Sequence, residues 1–370
     1  MKILTITCHD CYNFGASLQA FALQSYLESI GHNVRIIDYK PEYLSRHYKL
    51  SIIANPIYDK PILRQLYLIA KLPERLLALR QKKVFDAFTA KYLQLTNRYN
   101  SYEELKADAP DADIYIAGSD QIWNTLLNNG RDPAFYLDFG KASTKRISYA
   151  ASFATKEIAK GCEEFVRQEL KNLDAVSIRE KISLPLLRSL GRVDGVSVCD
   201  PVFLLSREQW KHIASDDNET MVNRDYLLVY LTDRSKVLLD IASAIHKCTG
   251  LEVFTIGVAQ EAMAYHHIRN IGPLDFINLV SNASFVISNS FHATAFSMIF
   301  EKNFCVVNRK EGINERMKSI LEEFGLSNRI VSEFDSKLLQ EIDYSKITPQ
   351  IVKKANESKA WLNNEINKTY

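Results

Sequence analysis

Residues 284–299, SFVISNSFHATAFSMI, have the pattern of a strand, a polar turn and a helix in direct succession. The apolar run 285–287 predicts the strand, 288–290 supply the turn, and 293–300 predict the helix, with His292 in its first turn. Open α/β sheets bind ligands at such a junction, because the helix terminus presents free N–H groups and partial positive charge to an anion. We therefore expect an α/β fold in which His292 either donates a proton beside a bound anion or caps the helix.

The length and composition are those of a globular protein with two domains of ordinary size. The chain has 370 residues, of which 46% are hydrophobic and 24% charged, and its net charge of +2 gives no argument for nucleic-acid binding. The segment MKILTIT is too short for a signal peptide, and no apolar run approaches the roughly 20 residues that a membrane span needs. We expect a cytoplasmic protein.

The six cysteines are scattered along the chain, which favours reduced thiols over a framework of disulfides. Cys8 and Cys11 form a CxxC motif, but no second pair of ligands lies nearby, and the motif sits in a predicted loop. Asp111 and Asp113 imitate the DxD of metal-dependent glycosyltransferases. They precede a strand, however, and so lie at the wrong edge of the sheet for a ligand. We predict no metal site.

Predicted strands and helices alternate along most of the chain, which indicates parallel sheets. The alternation begins in the first residues, resumes near residue 113 and starts again after residue 225. Residues 212–224 are polar and lack periodicity, which is typical of a linker. We predict two Rossmann-like domains that face each other across a cleft, at 1–211 and 225–345, and a C-terminal helix at 346–370.

Residues 44–95 form a basic and apolar insertion in the N-terminal domain. Ten Lys or Arg side chains stand against three acidic ones, and 62–93 have the pattern of a long amphipathic helix. Such a helix can lie on an anionic membrane surface. It can also pack on its own domain with a solvated basic face, and we favour this second interpretation.

Polar residues follow the predicted strands at four places where a ligand edge is expected. Three of these groups belong to the N-terminal half and one to the C-terminal half: Asn13–Gly15, Gly118–Gln121, Arg179–Glu180 and Ser288–His292. Residues of these types are ordinary turn formers, so each group alone is a weak signal. They meet only if the cleft between the domains is the site, which is what we expect.

Five segments, in their order along the chain, resemble the polysaccharide pyruvyl transferase family. They are YNFGASLQA (12–20), AGSDQIWN (117–124), SIRE (177–180), CDPVFLL (199–205) and SNSFHATAFS (288–297). The resemblance implies a two-domain fold similar to that of GT-B glycosyltransferases. It also implies transfer of a pyruvyl group from phosphoenolpyruvate to two hydroxyls of a sugar, giving a cyclic ketal on a cell-surface polysaccharide or its lipid-linked precursor. Phosphoenolpyruvate is then a co-substrate, and no cofactor is implied.

The same resemblance implies roles for individual residues. Arg179 matches an arginine that holds the anionic groups of the donor, and His292 matches a donor-site histidine that would be the general acid. The chemistry of the reaction also needs a base for the sugar hydroxyl, and Asp120 and Glu180 are the candidates. The other polar and glycine residues at the strand ends would contact substrate: Asn13, Gly15, Gly118, Ser119, Gln121, Asn289 and Ser290.

One position departs from the family pattern. Other members have Arg-Leu-His where this chain has Ser290, Phe291 and His292. Phosphoenolpyruvate carries about three negative charges, so one arginine and a helix terminus are too little to hold it. A further cation is therefore expected on the following segment, and Arg309 and Arg316 are the candidates.

Two other functions are compatible with the sequence. A GT-B-type glycosyltransferase could hold the diphosphate of a sugar nucleotide at the same helix terminus. A non-catalytic, glycan-binding relative would account for Ser290 as the mark of a lost site. The expected partners are phosphoenolpyruvate and a glycan or lipid-linked sugar, without nucleic acid. Peripheral contact with the inner face of a membrane is an open alternative.

Overall fold

The computed structural model describes residues 1–45, 51, 53, 58–215, 222, 224–258, 265–308 and 314–368. A first parallel sheet is built from β1 (Lys2–Ile6), β2 (Asn33–Tyr39), β3 (Leu95–Tyr99), β4 (Ile114–Ala117), β5 (Lys145–Ala151), β6 (Ala175–Ile178) and β7 (Val196–Ser197). Their order across the sheet is β3-β2-β1-β4-β5-β6-β7. The chain thus runs from a central strand to one edge, returns to the centre and continues to the other edge.

A second parallel sheet repeats this arrangement. It consists of β8 (Tyr226–Leu231), β9 (Glu252–Gly257), β10 (His266–His267), β11 (Phe285–Ser288), β12 (Asn303–Val307) and β13 (Ile330–Val331), in the order β10-β9-β8-β11-β12-β13. The direction of winding reverses between β1 and β4 in the first sheet and between β8 and β11 in the second. Loops at such reversals form the ligand crevice of doubly wound folds. The predicted α/β class with two Rossmann-like sheets is confirmed.

Helices cover the faces of both sheets. They are α1 (Phe14–Ser29), α2 (Glu42–Ser45), α3 (Pro61–Tyr92), α4 (Tyr102–Ala107), α5 (Glu163–Glu169), α6 (Leu184–Ser189), α7 (Arg207–Ser215), α8 (Lys236–Thr249), α9 (Pro273–Asn282), α10 (Phe291–Ile299), α11 (Glu315–Glu323) and α12 (Tyr344–Asn367). The predicted linker 212–224 is wrong at its start, because α7 continues to Ser215. Trp210 and Ala214 are one helical turn apart and both buried, and this packing extends the helix into a polar stretch. Residues 216–221 and 223 lie outside the described residues.

The start of α1 is fixed against both domains. Asn13 caps the helix, and its side chain accepts hydrogen bonds from two first-turn N–H groups at 3.0 and 3.3 Å. Phe14 stacks on Phe276 of α9, with 5.0 Å between ring centroids, and on Phe85 of α3, with 5.3 Å. Each such aromatic pair contributes about 0.5–1.5 kcal/mol beyond its area of burial. The helix terminus therefore holds its position at the boundary between the domains.

The two halves of α3 have different environments. Its second half packs on the protein through Phe85 and Phe88, which are buried. Its first half exposes large apolar side chains, and Ile62, Leu66 and Ile69 are 75%, 58% and 68% exposed. The favoured interpretation, a helix packed on its own domain, is therefore wrong for this half. Hydrophobic periodicity shows which residues share a helix face, but not what covers that face.

The last helix returns from the second domain to the first. On α12, Leu362 and Ile366 are buried in a hydrophobic core that also contains Ile3 of β1 and Leu23 of α1. The first domain thus takes part of its core from the C-terminal region of the chain.

Candidate active site

The loops at the winding reversals of both sheets meet in the cleft between the domains. They enclose a cavity of about 570 Å³. Seven of the residues predicted from the sequence line it: Asn13, Asp120, Gln121, Asn289, Ser290, His292 and Arg316. They follow β1, β4 and β11, or lie on α11, so both domains contribute to the site.

Two helix N-termini, one from each domain, face this cavity. Asn13 caps α1 and Ser290 caps α10, and each side chain accepts a hydrogen bond from a first-turn N–H group. A helix N-terminus carries about half an elementary positive charge and free N–H groups, which together favour a bound anion. The backbone alone therefore makes the cavity attractive to anionic ligands.

His292 lies between these two helix N-termini. It is buried, and its ring packs so closely on Gly15 that a β-carbon at residue 15 would lie 1.9 Å from His292 Nδ1. Glycine is thus required at this position by the contact and not by backbone conformation. On the other side of the ring, Nε2 lies 3.6 Å from Oδ2 of Asp200.

We expect Gly15→Ala to destabilise the protein by about 1–3 kcal/mol, because the added methyl group would overlap the imidazole ring. In a His292→Ala background the ring is gone, so the same substitution should have little effect or be slightly favourable in a helix. Denaturant unfolding of the four proteins in this cycle measures the coupling. An equal cost of Gly15→Ala in both backgrounds would contradict the contact.

Arg179 is buried among three carboxylates. Its Nη1 donates to Asp200 at 2.7 Å, its Nε donates to Glu180 at 3.0 Å, and its Nη2 lies 3.9 Å from Asp120 Oδ1. Burial by itself would lower the pKa of Arg179, but the three carboxylates raise it. Burial would raise the pKa of Asp200, but His292 and Arg179 hold it well below its usual range. Both partners of this ion pair are therefore charged at physiological pH.

One donor of Arg179 has no partner among the described residues, although Arg179 itself does not line the cavity. Nη2 is buried and makes no hydrogen bond to any other described residue. Buried donors are rarely left unpaired, since an unsatisfied one costs about 1–3 kcal/mol. The nearest acidic group to it, Asp120, lines the cavity. An oxyanion bound beside Asp120 could accept this hydrogen bond.

A second cation, Arg316, lines the cavity itself. Its Nη1 lies 4.0 Å from Asp120 Oδ1, and the side-chain oxygen of Gln121, turned toward the guanidinium, accepts from it at 3.1 and 3.2 Å. The ring of Phe291 lies beside both guanidinium groups, 4.3 Å from Cζ of Arg179 and 5.9 Å from Cζ of Arg316. Cation–π attraction therefore helps to hold both cations next to the cavity.

Asp200 is not among the residues predicted from the sequence, although it connects Arg179 with His292. It caps a short 3₁₀ helix, Pro201–Leu204, and its Oδ1 accepts from the N–H of Val202 at 3.1 Å. The available signal was its place directly after a predicted strand in CDPVFLL. An aspartate before proline is also ordinary turn chemistry, and this made the signal ambiguous.

Glu180 does not line the cavity, in contrast to the other predicted base, Asp120. It is buried behind Arg179, and its Oε1 accepts from Arg179 Nε and from the hydroxyl of Ser152 at 2.7 Å. A carboxylate in this position balances the charge of Arg179 and does not face the cavity. Of the two predicted bases, Asp120 is thus the one whose side chain lines the cavity.

Gly118 and Ser119 form a buried turn beneath the cavity. The hydroxyl of Thr7 donates to the carbonyl of Ser119 at 2.8 Å, and the side chain of Gln19 accepts from the Ser119 N–H at 3.0 Å. Gly118 has φ +129°, and a β-carbon there would lie 2.0 Å from the carbonyl oxygen of Tyr149. These two residues thus position the loop that carries Asp120.

Asn289 and Arg309 are both predicted to contact substrate, and only Asn289 is among the described residues. The side-chain oxygen of Asn289 accepts from the N–H and the hydroxyl of Thr232, at 3.0 and 2.8 Å, and joins the loops after β8 and β11. Arg309 lies outside the described residues. Of the two candidate cations, Arg316 is the one that the structure places at the cavity.

A second lobe of the cleft, about 730 Å³, adjoins the first. The lobes share Cys11, Asn13 and Thr232. The second lobe is lined by aromatic rings and by residues from α3 and the second domain, among them Tyr12, Phe14, Phe85, Tyr230, Leu77, Gln81, His267 and Arg269. It thus has a larger volume and a more aromatic lining than the lobe that contains His292.

The structure also bears on the CxxC cysteines, on possible metal ligands and on possible membrane-spanning helices. Burial raises the pKa of the Cys8 and Cys11 thiols, so neither is a reactive thiolate. Among the residues that the structure describes, no group of three or more His, Cys, Asp or Glu side chains is placed to hold a metal ion. In the same part of the chain, no helix is long and apolar enough to cross a membrane.

The family model for polysaccharide pyruvyl transferases matches residues 13–311, which is well over half of the chain. The chain belongs to the polysaccharide pyruvyl transferase family. The matched region of this family member includes Arg179, Asp200 and His292, whereas Arg316 lies just beyond it. No curated protein matches the chain.

Solved structures of the same architecture include several UDP-GlcNAc 2-epimerases. The enzyme from Methanocaldococcus jannaschii is 13% identical, with a TM-score of 0.52 over 98% of this chain and 99% of that chain. The enzyme from Neisseria meningitidis, bound to UDP-GlcNAc, is 10% identical, with a TM-score of 0.50 over 100% of both chains. MnaA from S. aureus, in a structure with UDP, is 13% identical, with a TM-score of 0.52 over 96% of this chain and 87% of that chain. These likenesses confirm the GT-B-like fold of the pyruvyl transferase family member.

Proposed function

We propose that this protein transfers a pyruvyl group from phosphoenolpyruvate to two hydroxyls of a sugar, forming a cyclic ketal. The observation that carries the proposal is the position of His292. It lies between two helix N-termini, with a buried carboxylate on one side of its ring and the ligand cavity beside it. A proton donor and an anion-binding surface thus occur together, as this reaction requires.

The donor is held by charges from both domains. Arg316 and the N-termini of α1 and α10 face the cavity. Nη2 of Arg179, which has no hydrogen-bond partner among the described residues, lies 3.9 Å from Oδ1 of Asp120, which lines the cavity. Arg316 and the two helix N-termini supply about two positive charges to the roughly three negative ones of phosphoenolpyruvate. The charge of Arg179 is already paired with Asp200 and Glu180, so its contribution is a hydrogen-bond donor. Arg316 takes the role of the family arginine that Ser290 replaces.

His292 is the general acid. Asp200 Oδ2 lies 3.6 Å from Nε2 and favours an N–H there. A proton is then available for transfer when the ring is the imidazolium ion, which carries a second proton on Nδ1 and keeps the one on Nε2. The Nδ1 proton goes to the methylene carbon of phosphoenolpyruvate and makes C2 electrophilic. A sugar hydroxyl then bonds to C2 and loses its proton to Asp120. A second hydroxyl bonds to C2 as the bond from C2 to the phosphate oxygen breaks, and inorganic phosphate leaves with the second hydroxyl proton.

The acceptor sugar occupies the second lobe. Its lining is apolar around Tyr12, Phe85 and Tyr230, and His267 and Arg269 offer polar contacts to sugar hydroxyls. Because the lobes share Asn13 and Thr232, a sugar in the second lobe can extend its hydroxyls toward His292.

Thermal unfolding with separate ligands tests the proposal. Phosphoenolpyruvate should raise the melting temperature in a concentration-dependent way, because it binds only the folded protein. Arg316→Gln should abolish the shift, and Arg188→Gln, a change at an exposed arginine on α6, should retain it. A shift with UDP or a UDP-sugar but none with phosphoenolpyruvate would favour a glycosyltransferase instead. Phosphate release from phosphoenolpyruvate, dependent on a sugar acceptor, then checks the chemistry.

A further inference from the structure

The first half of α3 presents an apolar face that no other described part of the chain covers. Ile62, Leu66, Ile69 and Leu76 are all at least half exposed. They are spaced four, three and seven residues apart, so they lie on one side of the helix. Single exposed leucines are common on protein surfaces, but a continuous row of this kind marks an interaction site.

The opposite side of this half-helix is basic. Arg64, Lys71 and Arg75 lie about half a turn away from the apolar row. Over the whole of α3, seven Lys or Arg residues stand against Glu74 and Asp86. An apolar face backed by cations is the pattern of helices that lie in the interface of an anionic membrane.

The second half of α3 anchors this face to the protein. Phe85 and Phe88 are buried, and Gln81 donates to the carbonyl of Ile271 in the second domain at 2.6 Å. Leu77 is 45% exposed and also lines the second lobe of the cleft. The exposed face and the mouth of that lobe are thus adjacent along one helix.

We propose that the first half of α3 docks the protein on an anionic lipid surface. The apolar row enters the boundary between headgroups and acyl chains. The long basic side chains on the opposite side of the helix remain at the level of the headgroups, near the lipid phosphates. The excess of cations on α3, seven Lys or Arg against two acidic residues, favours an anionic surface over a neutral or basic one, and a second copy of the chain is the alternative that the test below separates. Docking would also bring the second lobe close to a sugar carried on a membrane lipid, and this last step rests on the proposed function.

Vesicle sedimentation with the full-length chain tests the docking. Binding should be strong with phosphatidylcholine vesicles that contain phosphatidylglycerol, weak with phosphatidylcholine alone, and reduced by high salt. The variant Ile62→Ser, Leu66→Ser, Ile69→Ser should lower binding by about tenfold or more. The matched control is Val193→Ser, Val352→Ser, which changes residues that are 77% and 51% exposed outside α3 and should leave binding intact.

Two outcomes would overturn the proposal. One is equal vesicle binding by wild type and the α3 variant, with circular dichroism showing both folded. The other is a dimer in light scattering that the α3 variant abolishes, which would assign the face to a second copy. Transfer to a soluble acceptor should be the same in wild type and variant. The docking result is therefore independent of whether phosphoenolpyruvate proves to be the donor.

Discussion

Arg179→Ala should lower the free energy of unfolding by about 3–5 kcal/mol near pH 8. The substitution leaves Asp200 and Glu180 buried without the guanidinium that donates to both at 2.7 and 3.0 Å. From the family resemblance alone, this arginine would be expected to affect donor binding only. Its burial among carboxylates makes it a structural residue as well, and Arg179→Lys, which keeps the charge, should be milder.

The destabilisation caused by Arg179→Ala should become smaller as the pH is lowered. In the wild type the pKa of Asp200 is depressed, so its stabilising contribution is present above the usual aspartate pKa and is lost as the pH falls below it. Without Arg179, burial acts with less opposition and the pKa of Asp200 rises. The carboxyl group can then be protonated in the folded state, so the destabilisation should shrink as the pH is lowered toward about 5.

Arg329→Ala is the matched control for this experiment. Arg329 is equally buried, but it donates to the backbone carbonyls of Leu338 and Gln340, at 2.8 and 2.9 Å, and not to carboxylates. Its removal should destabilise the protein with little dependence on pH between 5 and 8. If urea unfolding shows the same pH dependence for both variants, the ion pair with Asp200 is not the cause.

His292→Gln should lower turnover by about 100- to 10,000-fold, which is the usual effect of removing a general acid. Glutamine keeps polar atoms near Gly15 and Asp200 but cannot transfer a proton. The Michaelis constant for phosphoenolpyruvate should change much less than turnover, because Arg316 and the helix N-termini still hold the donor. Steady-state rates of phosphate release, measured across pH with a sugar acceptor, provide both constants.

A control separates catalysis from loss of structure. His246 is exposed on α8 and away from the cleft, so His246→Gln should retain full activity. The melting temperature of His292→Gln should stay close to that of the wild type. His292 would not be the proton donor if turnover were unchanged, or if the variant lost activity only because its Michaelis constant for phosphoenolpyruvate was higher.

The sheets and the place of the site could be predicted from the sequence. Apolar runs followed by polar turns identify strands and their carboxyl ends, and the doubly wound order then brings those ends together. Asn13, Asp120 and His292 are therefore predicted to lie at one cleft, and all three line the cavity. The pattern of apolar runs and polar turns is sufficient for this prediction because it shows where each strand ends, and neighbouring residues alone determine that pattern.

Contacts between distant segments could not be predicted in the same way. Asp200 and Glu180 both follow strands, yet one joins the site and the other lies behind Arg179, because the partners of each are set by tertiary packing. Gly15 is ordinary in a helix N-terminus, and its requirement appears only when His292 from the other domain packs on it. The exposure of α3 likewise depends on what the rest of the fold leaves uncovered.

The return of α12 to the first domain has a consequence for synthesis of the chain. Domains usually fold in order as they leave the ribosome, with the N-terminal one first. Here the core around Ile3 and Leu23 lacks Leu362 and Ile366 until the last helix has been made. We therefore expect part of the apolar surface of the N-terminal domain to stay exposed until α12 has been synthesised.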